Sequence, residues 1–220
     1  VYPLVVDMKK EIDHFEDTTR KHYPDVYKSQ EYLDIKNGLI QFSFGKIFIN
    51  FMHPNSMDNI ISAEMEYQQN KQNPLYDFSS VVIKYSKTIE QELYIFFQAL
   101  IDFLSQENQA ILDIEYRVQN FDYTLNDIFE HKPNLGTYKY LLGQRAIQNE
   151  LRDRCNRQVQ YFISKTIPYH INTIQDIRNE TVHGNPPKLK DVELLRDKII
   201  GVGCESMIVE LIRTINGDLG

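Results

Sequence analysis

The sequence predicts a mainly α-helical protein: a helical bundle over residues 79–216, preceded by a small mixed α/β region with a short hairpin. Two observations support this prediction. Apolar residues recur at spacings of three and four through most of the chain after residue 79, which is the period of an amphipathic helix. Before residue 75, a stretch of aromatic and β-branched residues alternates in the manner of a strand. We therefore divide the chain into an N-terminal accessory region, 1–75, and an all-α domain, 76–220.

The N-terminal region opens with a predicted helix. Its inward face would be formed by Leu4, Met8, Ile12 and Phe15. Residues 39–49 then alternate around a Gly-Lys turn, and this pattern predicts the short hairpin. A second helix should begin at Asn55 or Ser56, which are both good N-caps, and run to about Lys71. An Asn-Pro pair ends it.

Two long helices are predicted next. The helix over residues 79–106 has an apolar stripe made of Val82, Tyr85, Ile89, Leu93, Phe96, Leu100 and Phe103. The helix over residues 109–130 has a similar stripe made of Ile111, Ile114, Val118, Phe121, Leu125 and Ile128. A Pro-Asn pair then interrupts the chain, and Asn134 can cap a short helix through residues 135–142.

The remaining chain also has a helical period. A helix over residues 145–167 would bury Ile147, Leu151, Cys155, Val159, Phe162 and Ile163. Pro168 suits the first turn of the next helix, which should end at His183-Gly184, because glycine followed by prolines is a typical helix stop. A last helix should run from about Leu189 to about Ile215, with two glycines inside it.

Composition excludes several classes of protein. The net charge is −7, which argues against broad, nonspecific nucleic-acid binding. Residues 1–138 hold 12 Lys/Arg and 21 Asp/Glu, whereas residues 139–220 hold 12 and 10, so an anionic ligand would favour the second part. Two cysteines make neither a disulfide framework nor a metal site, which predicts a cytoplasmic protein. No apolar run approaches the roughly 20 residues of a membrane span, so we expect no membrane partner.

The stretch "DIRNETVHGNPP" carries residues suited to phosphodiester chemistry. His183 titrates near neutral pH and could take a proton from a ribose 2′-hydroxyl or give one to the leaving oxygen. Arg178 stays charged and can bind a phosphate through two parallel hydrogen bonds. Asn179 adds an amide that could position the substrate. The three side chains together would suffice for a ribonuclease that needs no metal ion.

The spacing of this motif leaves a plainer alternative open. Five residues on an ideal helix turn through about 500°, so Arg178 and His183 would lie roughly 140° apart. Either the helix distorts near its end, or each residue meets the substrate from a different direction. A site formed across a two-fold dimer would bring the two pairs together. The alternative is a histidine that only ends a helix, with Arg178 paired to Asp176 or Glu180.

"RNETVHG" at 178–184 resembles the signature of HEPN domains, which are small all-helical domains marked by Arg, a polar residue, a few variable residues and His. "YSKTIEQELYIFFQALIDFL" is similar to the long helix that opens such domains, and "LGTYKYLLG" is similar to their short middle helix. The resemblance covers residues 79–216.

The resemblance to this family implies a metal-independent endoribonuclease that acts as a homodimer and leaves 2′,3′-cyclic phosphate and 5′-hydroxyl ends. It implies a setting in toxin or anti-phage defence systems, with an antitoxin or regulatory partner. By position, Arg178 and His183 would be the catalytic pair and Asn179 their polar neighbour. Glu90 and Glu92, on the opening helix, would be supporting acids. No cofactor is implied.

Other residues have two interpretations each. The arginines on one predicted helix face would track RNA phosphates, with an aromatic ring nearby for base stacking; these residues are Arg152, Arg154, Arg157 and Tyr161. They could equally be an exposed, solvated face, as could Glu90 and Glu92. The histidines outside the motif show no metal-ligand spacing, so we predict no metal site.

Three functional hypotheses follow. The first is the metal-independent endoribonuclease, with RNA as its substrate. The second is a non-catalytic helical module for dimerisation or interaction, with the same fold and no RNA turnover. The third adds to either one: residues 1–78 would regulate the rest of the chain.

Overall fold

The computed structural model describes residues 29–182 and 184–219. These residues are mainly α-helical, and the one sheet among them has two strands. The prediction of a mainly α fold is therefore confirmed. The helix predicted around Leu4 to Phe15 lies outside the described residues.

The first described elements are helical where a hairpin was predicted. Helix α1 covers Gln30–Gly38, a π-helical segment covers Leu39–Phe44, and α2 covers Gly45–Ile49. The hairpin at 39–49 is therefore wrong. Leu39 and Phe44 are buried five residues apart, which fits the i→i+5 hydrogen bonding of a π-helix, and Phe42 is 80% exposed, which breaks the expected alternation.

Helices α3 and α4 match their predictions closely. Helix α3 covers Pro54–Asn70 and buries Ile60 and Ile61, with Met65 half-buried. Its N-cap is His53, whose Nδ1 accepts the Asn55 N–H, so the helix begins slightly before the predicted Asn55 or Ser56. Helix α4 covers Ser79–Ser105, and its predicted apolar stripe is buried from Val82 to Leu100, with Phe103 half-buried.

The helix predicted over residues 109–130 is wrong. A 3₁₀ turn at Gln109–Asp113 leads into an antiparallel hairpin of β1, Glu115–Val118, and β2, Phe121–Thr124. A second 3₁₀ turn covers Leu125–Asp127. The two-residue loop places Gln119 at φ 57°, a left-handed conformation that reverses the chain and that a continuing helix could not contain.

The helices that follow are shorter than expected. Helix α5 covers Leu135–Leu142, and Asn134 caps it as predicted by accepting the Thr137 N–H. Helix α6 covers Arg145–Arg154, because Cys155 turns to an extended conformation at ψ 152°. Asn156 then caps α7, Arg157–Tyr161. The single helix predicted over 145–167 is therefore two.

A π-helical segment, Phe162–Thr166, joins α7 to α8, Ile167–Val182. Pro168 lies in the first turn of α8, as predicted. Proline lacks an N–H and its ring crowds the carbonyl four residues earlier, so the wider π turn just before it relieves both problems. Helix α8 is described to Val182, and Gly184 follows with φ 86°, which agrees with the predicted stop.

The last predicted helix is also two helices. Helix α9 covers Leu189–Ile200 and α10 covers Met207–Gly217. Gly201 ends α9 in the left-handed conformation at φ 80°, so this glycine terminates a helix where the sequence predicted one passing through.

The chain divides into two compact units. Among the described residues, unit 1 comprises 29–92 and 184–212, and unit 2 comprises 93–182 and 213–219. Unit 1 is thus built from two segments that are distant in sequence. The core of unit 2 includes edge-on packing of Phe96 against Phe162, with ring centroids 6.3 Å apart. The predicted domain boundary between residues 75 and 76 stays a prediction.

Candidate functional site

Helix α8 carries the first two residues of the motif. It folds against the core of unit 2 through a stripe at spacings of three and four, formed by Ile167, Ile171, Ile174, Ile177 and Thr181. Arg178 is half-buried beside this stripe, and Asn179 is exposed. Both lie in the last two turns of the helix. His183 lies outside the described residues, so its predicted pairing with Arg178 stays a prediction.

Helix α5 packs against α8. The ring of Tyr138 is buried on α5, with its centroid 5.3 Å from that of Phe97, and this contact fixes the helix on the core. At the surface of α5, the Lys139 ammonium donates a hydrogen bond of 2.8 Å to Asn172 Oδ1 on α8. The two helices are therefore joined by apolar packing below and by a polar contact at the surface.

A groove of about 600 Å³ opens between α5 and α8. Its walls are Gly136, Lys139, Tyr140, Gly143, Gln144 and Gln175. Gly136 keeps the groove open, because a Cβ at this position would lie 3.2 Å from Gln175 Nε2. Gln175 precedes Arg178 by three residues, so the two side chains leave α8 on neighbouring positions, about 4.5 Å apart along the axis.

The arginines of the predicted stripe differ in their surroundings. Arg154 is half-buried, and its Nη1 donates hydrogen bonds to the carbonyl oxygens of Phe103 and Leu104, the latter at 3.2 Å. Its guanidinium carbon lies 3.9 Å from the Phe103 ring centroid. Arg154 therefore caps the negative end of α4 and packs on an aromatic face. Arg152 and Arg157 are exposed, as a phosphate-binding role would require.

Tyr161, the aromatic residue predicted to stack on a base, is 67% exposed at the end of α7. Its ring is therefore open to a ligand. RNA binding by Tyr161 and the three arginines stays a prediction.

Glu90 and Glu92 belong to unit 1, whereas Arg178 belongs to unit 2. Glu92 is buried, and its Oε1 accepts the backbone N–H of His53 at 3.0 Å. Because His53 is the N-cap of α3, the carboxylate lies at the positive end of that helix dipole, which stabilises it in a buried place. Glu90 is half-buried. Their role as supporting acids stays a prediction.

Comparison with known proteins identifies no relative. No family model, curated protein or solved structure matches this chain.

Two properties of the described residues bear on a metal site and on a membrane span. No group of three or more His, Cys, Asp or Glu among them is arranged to hold a metal ion. None of the described helices is long and apolar enough to cross a membrane. The predicted absence of a metal site stays a prediction for the whole chain.

Sequence reasoning missed a buried charged cluster in unit 1. Glu64 is 2% exposed and forms a two-point ion pair with Arg196, whose Nε lies 2.8 Å from Glu64 Oε1 and whose Nη2 lies 2.9 Å from Oε2. Tyr85 donates a hydrogen bond to the same carboxylate. Burial, together with the negative charge of Glu64, raises the pKa of Tyr85 well above its usual value, so this phenol remains a donor.

The same cluster extends to the surface of unit 1. The Arg196 guanidinium carbon lies 5.1 Å from the centroid of the Tyr67 ring, and the Tyr67 hydroxyl donates to Glu193 Oε1 at 3.0 Å. Burial alone would lower the pKa of Arg196, but its hydrogen bonds to Glu64 hold that pKa above the usual value. No local signal could reveal this cluster, because Glu64 and Arg196 are 132 residues apart.

The groove residues were also missed as a functional feature. "LGTYKYLLG" drew attention as a helix, but only the packing of α5 on α8 brings Lys139 and Tyr140 beside Gln175. The arrangement offers an ammonium, a phenol ring and two amides along one groove, and one of these amides, that of Gln175, is one helical turn from Arg178. Such groups can bind a phosphate and the base attached to it.

Proposed function

We propose that this protein is a metal-independent endoribonuclease of HEPN type, which cleaves RNA to 2′,3′-cyclic phosphate and 5′-hydroxyl ends. The observation that carries the proposal is the sequence motif of Arg178, Asn179 and His183, whose first two residues lie near the end of α8. The half-burial of Arg178, one helical turn from the groove residue Gln175, supports it, because a phosphate bound there would be partly shielded from water.

The reaction assigns one role to each motif residue. A histidine removes the proton from the 2′-hydroxyl, and the 2′-oxygen attacks the adjacent phosphorus. The bond from phosphorus to the 5′-oxygen breaks, and that oxygen receives a proton. Arg178 binds the non-bridging phosphate oxygens and stabilises the charge that develops on them. Asn179 positions the substrate through its amide.

A homodimer completes this scheme. One histidine cannot remove one proton and supply another at the same instant, whereas two copies of His183 about a two-fold axis can divide the roles. The chain has a mass of 26.0 kDa. A mass measurement in solution at micromolar concentration should therefore give twice that value. A purely monomeric protein with full cleavage activity would contradict the shared site.

The biological setting that we propose is a toxin or anti-phage defence system. An enzyme that cleaves cellular RNA must be restrained, which is the reason to expect an antitoxin or another regulatory partner. Residues 1–75 are the part of the chain that we propose for regulation.

A cleavage assay tests the function directly. Labelled structured RNA is incubated in EDTA with the wild-type protein, with His183→Ala and with Arg178→Ala, and the product ends are mapped. We expect cleavage with cyclic phosphate ends by the wild type and a loss of roughly 10²–10⁴-fold in each variant, the range that a general acid or base contributes.

Matched controls use one histidine and one arginine outside the motif. His170→Ala changes another histidine of α8, and Arg117→Ala changes an exposed arginine whose partner is Asp122 on the hairpin. Both should cleave like the wild type. Loss of cleavage in EDTA, or equal cutting of a DNA oligonucleotide, would contradict the mechanism.

A non-catalytic interaction module is the second candidate. Two observations favour it: the net charge of −7, and the use of Arg154 to cap α4, which removes one cation from the predicted phosphate-binding stripe. This candidate predicts that a protein carrying both Arg178→Ala and His183→Ala keeps its cellular effect. The ribonuclease predicts that the effect disappears.

A further inference from the structure

The groove between α5 and α8 has the size and openness for part of a polymer. Its volume of about 600 Å³ falls within the range of small-molecule pockets, roughly 300–1,000 Å³. Two of its six wall residues are glycines. At Gly136 a Cβ would lie 3.2 Å from Gln175 Nε2, and at Gly143 it would lie 3.3 Å from the Tyr140 carbonyl oxygen. Larger residues at these positions would fill the groove.

One wall offers a surface for stacking. Tyr140 is 58% exposed, although the neighbouring Tyr138 on the same helix is fully buried. An exposed phenol ring on a rigid helix presents a flat π-face without the entropy cost of ordering a loop. Nucleobases stack on such rings whatever their sequence, because every base has a π-face.

The other groups are suited to a phosphate and to the edge of a base. Lys139 is exposed, and its hydrogen bond to Asn172 Oδ1 holds the ammonium at the groove while two of its donors remain. The amides of Gln144 and Gln175 are half-buried, and neither makes a side-chain hydrogen bond to any residue that the structure describes. An amide presents one acceptor and two donors, which can pair with the edge of a base.

The groove also lies at a useful distance from the motif. Gln175 and Arg178 are one helical turn apart on α8, about 4.5 Å along the axis. A nucleotide seated against Gln175 would therefore adjoin a phosphate bound by Arg178.

We propose that this groove is a base-binding subsite for single-stranded RNA, in which Gln175 contacts the base next to the cleaved phosphate, Lys139 binds the following phosphate, and Tyr140 stacks on the next base, whose edge can pair with Gln144. The inference rests on the proposed ribonuclease for the identity of its ligand. It adds the residues that determine where the RNA is cut.

The test measures binding and cleavage separately. A fluorescein-labelled single-stranded RNA of 12 nucleotides is titrated in EDTA with the full chain carrying His183→Ala, so that no cleavage disturbs the anisotropy signal. The same titration is repeated with Tyr140→Ala, Tyr140→Phe and Tyr169→Ala added. Tyr169 is the matched control, because it is 62% exposed on α8 and is not a wall residue of the groove.

We expect Tyr140→Ala to raise the Kd at least about fivefold, since an aromatic ring that stacks on a base contributes at least that much. Tyr140→Phe keeps the ring and should stay within twofold, as should Tyr169→Ala. In proteins with an intact His183, Gln175→Ala should change which nucleotide flanks the cut. Urea unfolding of each variant checks that the fold is retained.

The outcomes separate this inference from the proposed function. If RNA binds and Tyr140→Ala weakens binding, yet the wild type cleaves nothing, the subsite stands and the ribonuclease fails. If the wild type cleaves while Tyr140→Ala leaves the Kd, the KM and the cut sites unchanged, the subsite is wrong and the ribonuclease stands. Failure of the RNA to bind at all would also overturn the subsite.

Discussion

Glu64 and Arg196 show what a buried charge requires of its neighbours. Burying a carboxylate is unfavourable unless its oxygens are paired, and here both oxygens accept from one guanidinium while Tyr85 donates to Oε1. The pair does not need to be strongly stabilising overall. Its importance is that Arg196 cannot be removed without leaving Glu64 as a buried charge that has lost its cationic partner.

Arg196→Met should therefore lower the free energy of unfolding by about 3 kcal/mol, because it leaves Glu64 charged in an apolar surrounding. Urea denaturation measures the change. Arg117→Met is the matched control, since Arg117 forms a similar pair with Asp122 but both side chains are at least 60% exposed. That variant should lose much less stability than Arg196→Met, because solvent screens an exposed ion pair. Equal losses in the two proteins would show that burial is not the cause.

The elements of this fold differ in how well the sequence predicts them. The stripe of α4 was reliable: it has seven apolar positions at spacings of three and four, and only a helix buries them together. The segment at 39–49 was predicted as a hairpin and is helical, because a short apolar run fits either period. The segment at 109–130 was predicted as a helix and contains a hairpin, although its apolar stripe resembles that of α4. In the second, packing and the turn at Gln119 decide, since Tyr116 is buried from β1 although it was not part of the predicted stripe.

Only part of the candidate site could be predicted from the sequence. Arg178 and Asn179 were identified as candidates because they are adjacent in the sequence and their side chains suit phosphate binding. The groove could not, because its walls come from α5, α8 and the turn after α5, and only their packing assembles it. Helix ends were also predicted poorly. Gly201 ends α9, but the apolar spacing on both sides of it predicted one continuous helix.

Gly201 makes a specific prediction about the end of α9. Its φ of 80° disfavours any L side chain, and an added Cβ would lie 3.0 Å from the Ser206 backbone nitrogen. Gly201→Ala should therefore destabilise the protein by about 2 kcal/mol or more, from strain and crowding together. Thermal or urea unfolding measures it.

Gly203 provides the control for this prediction. It has a similar φ of 70°, but nothing lies within 4 Å of an added Cβ. Gly203→Ala should cost only the backbone strain, about 1 kcal/mol. If both variants lost the same stability, the contact with Ser206 would be irrelevant and strain alone would explain the glycine.

At the scale of the whole molecule, unit 1 constrains where the chain can be divided. Its two segments, 29–92 and 184–212, are held together by contacts such as Glu64 with Arg196 and Tyr67 with Glu193. A cut at 75/76, although suggested by composition, would remove α3 and leave α9 without its partners.

The fragment 76–220 should therefore unfold at a lower urea concentration and less cooperatively than the full chain, because Arg196 and the apolar face of α9 would be exposed. Near-UV circular dichroism and urea unfolding of the two proteins make the comparison. Adding a separate 1–75 fragment should restore part of the lost stability. A fragment 76–220 as stable as the full chain would show that α3 contributes little to unit 1.

The discontinuity of unit 1 also has a consequence during synthesis. Glu64 leaves the ribosome 132 residues before Arg196, a delay of about 7–26 s at the usual rate of about 5–20 residues per second. Through that interval the nascent α3 carries a carboxylate whose neutralising arginine has not yet been made. Helices α5 to α8 are complete in the meantime, so α3 is among the last helices to complete its set of native contacts.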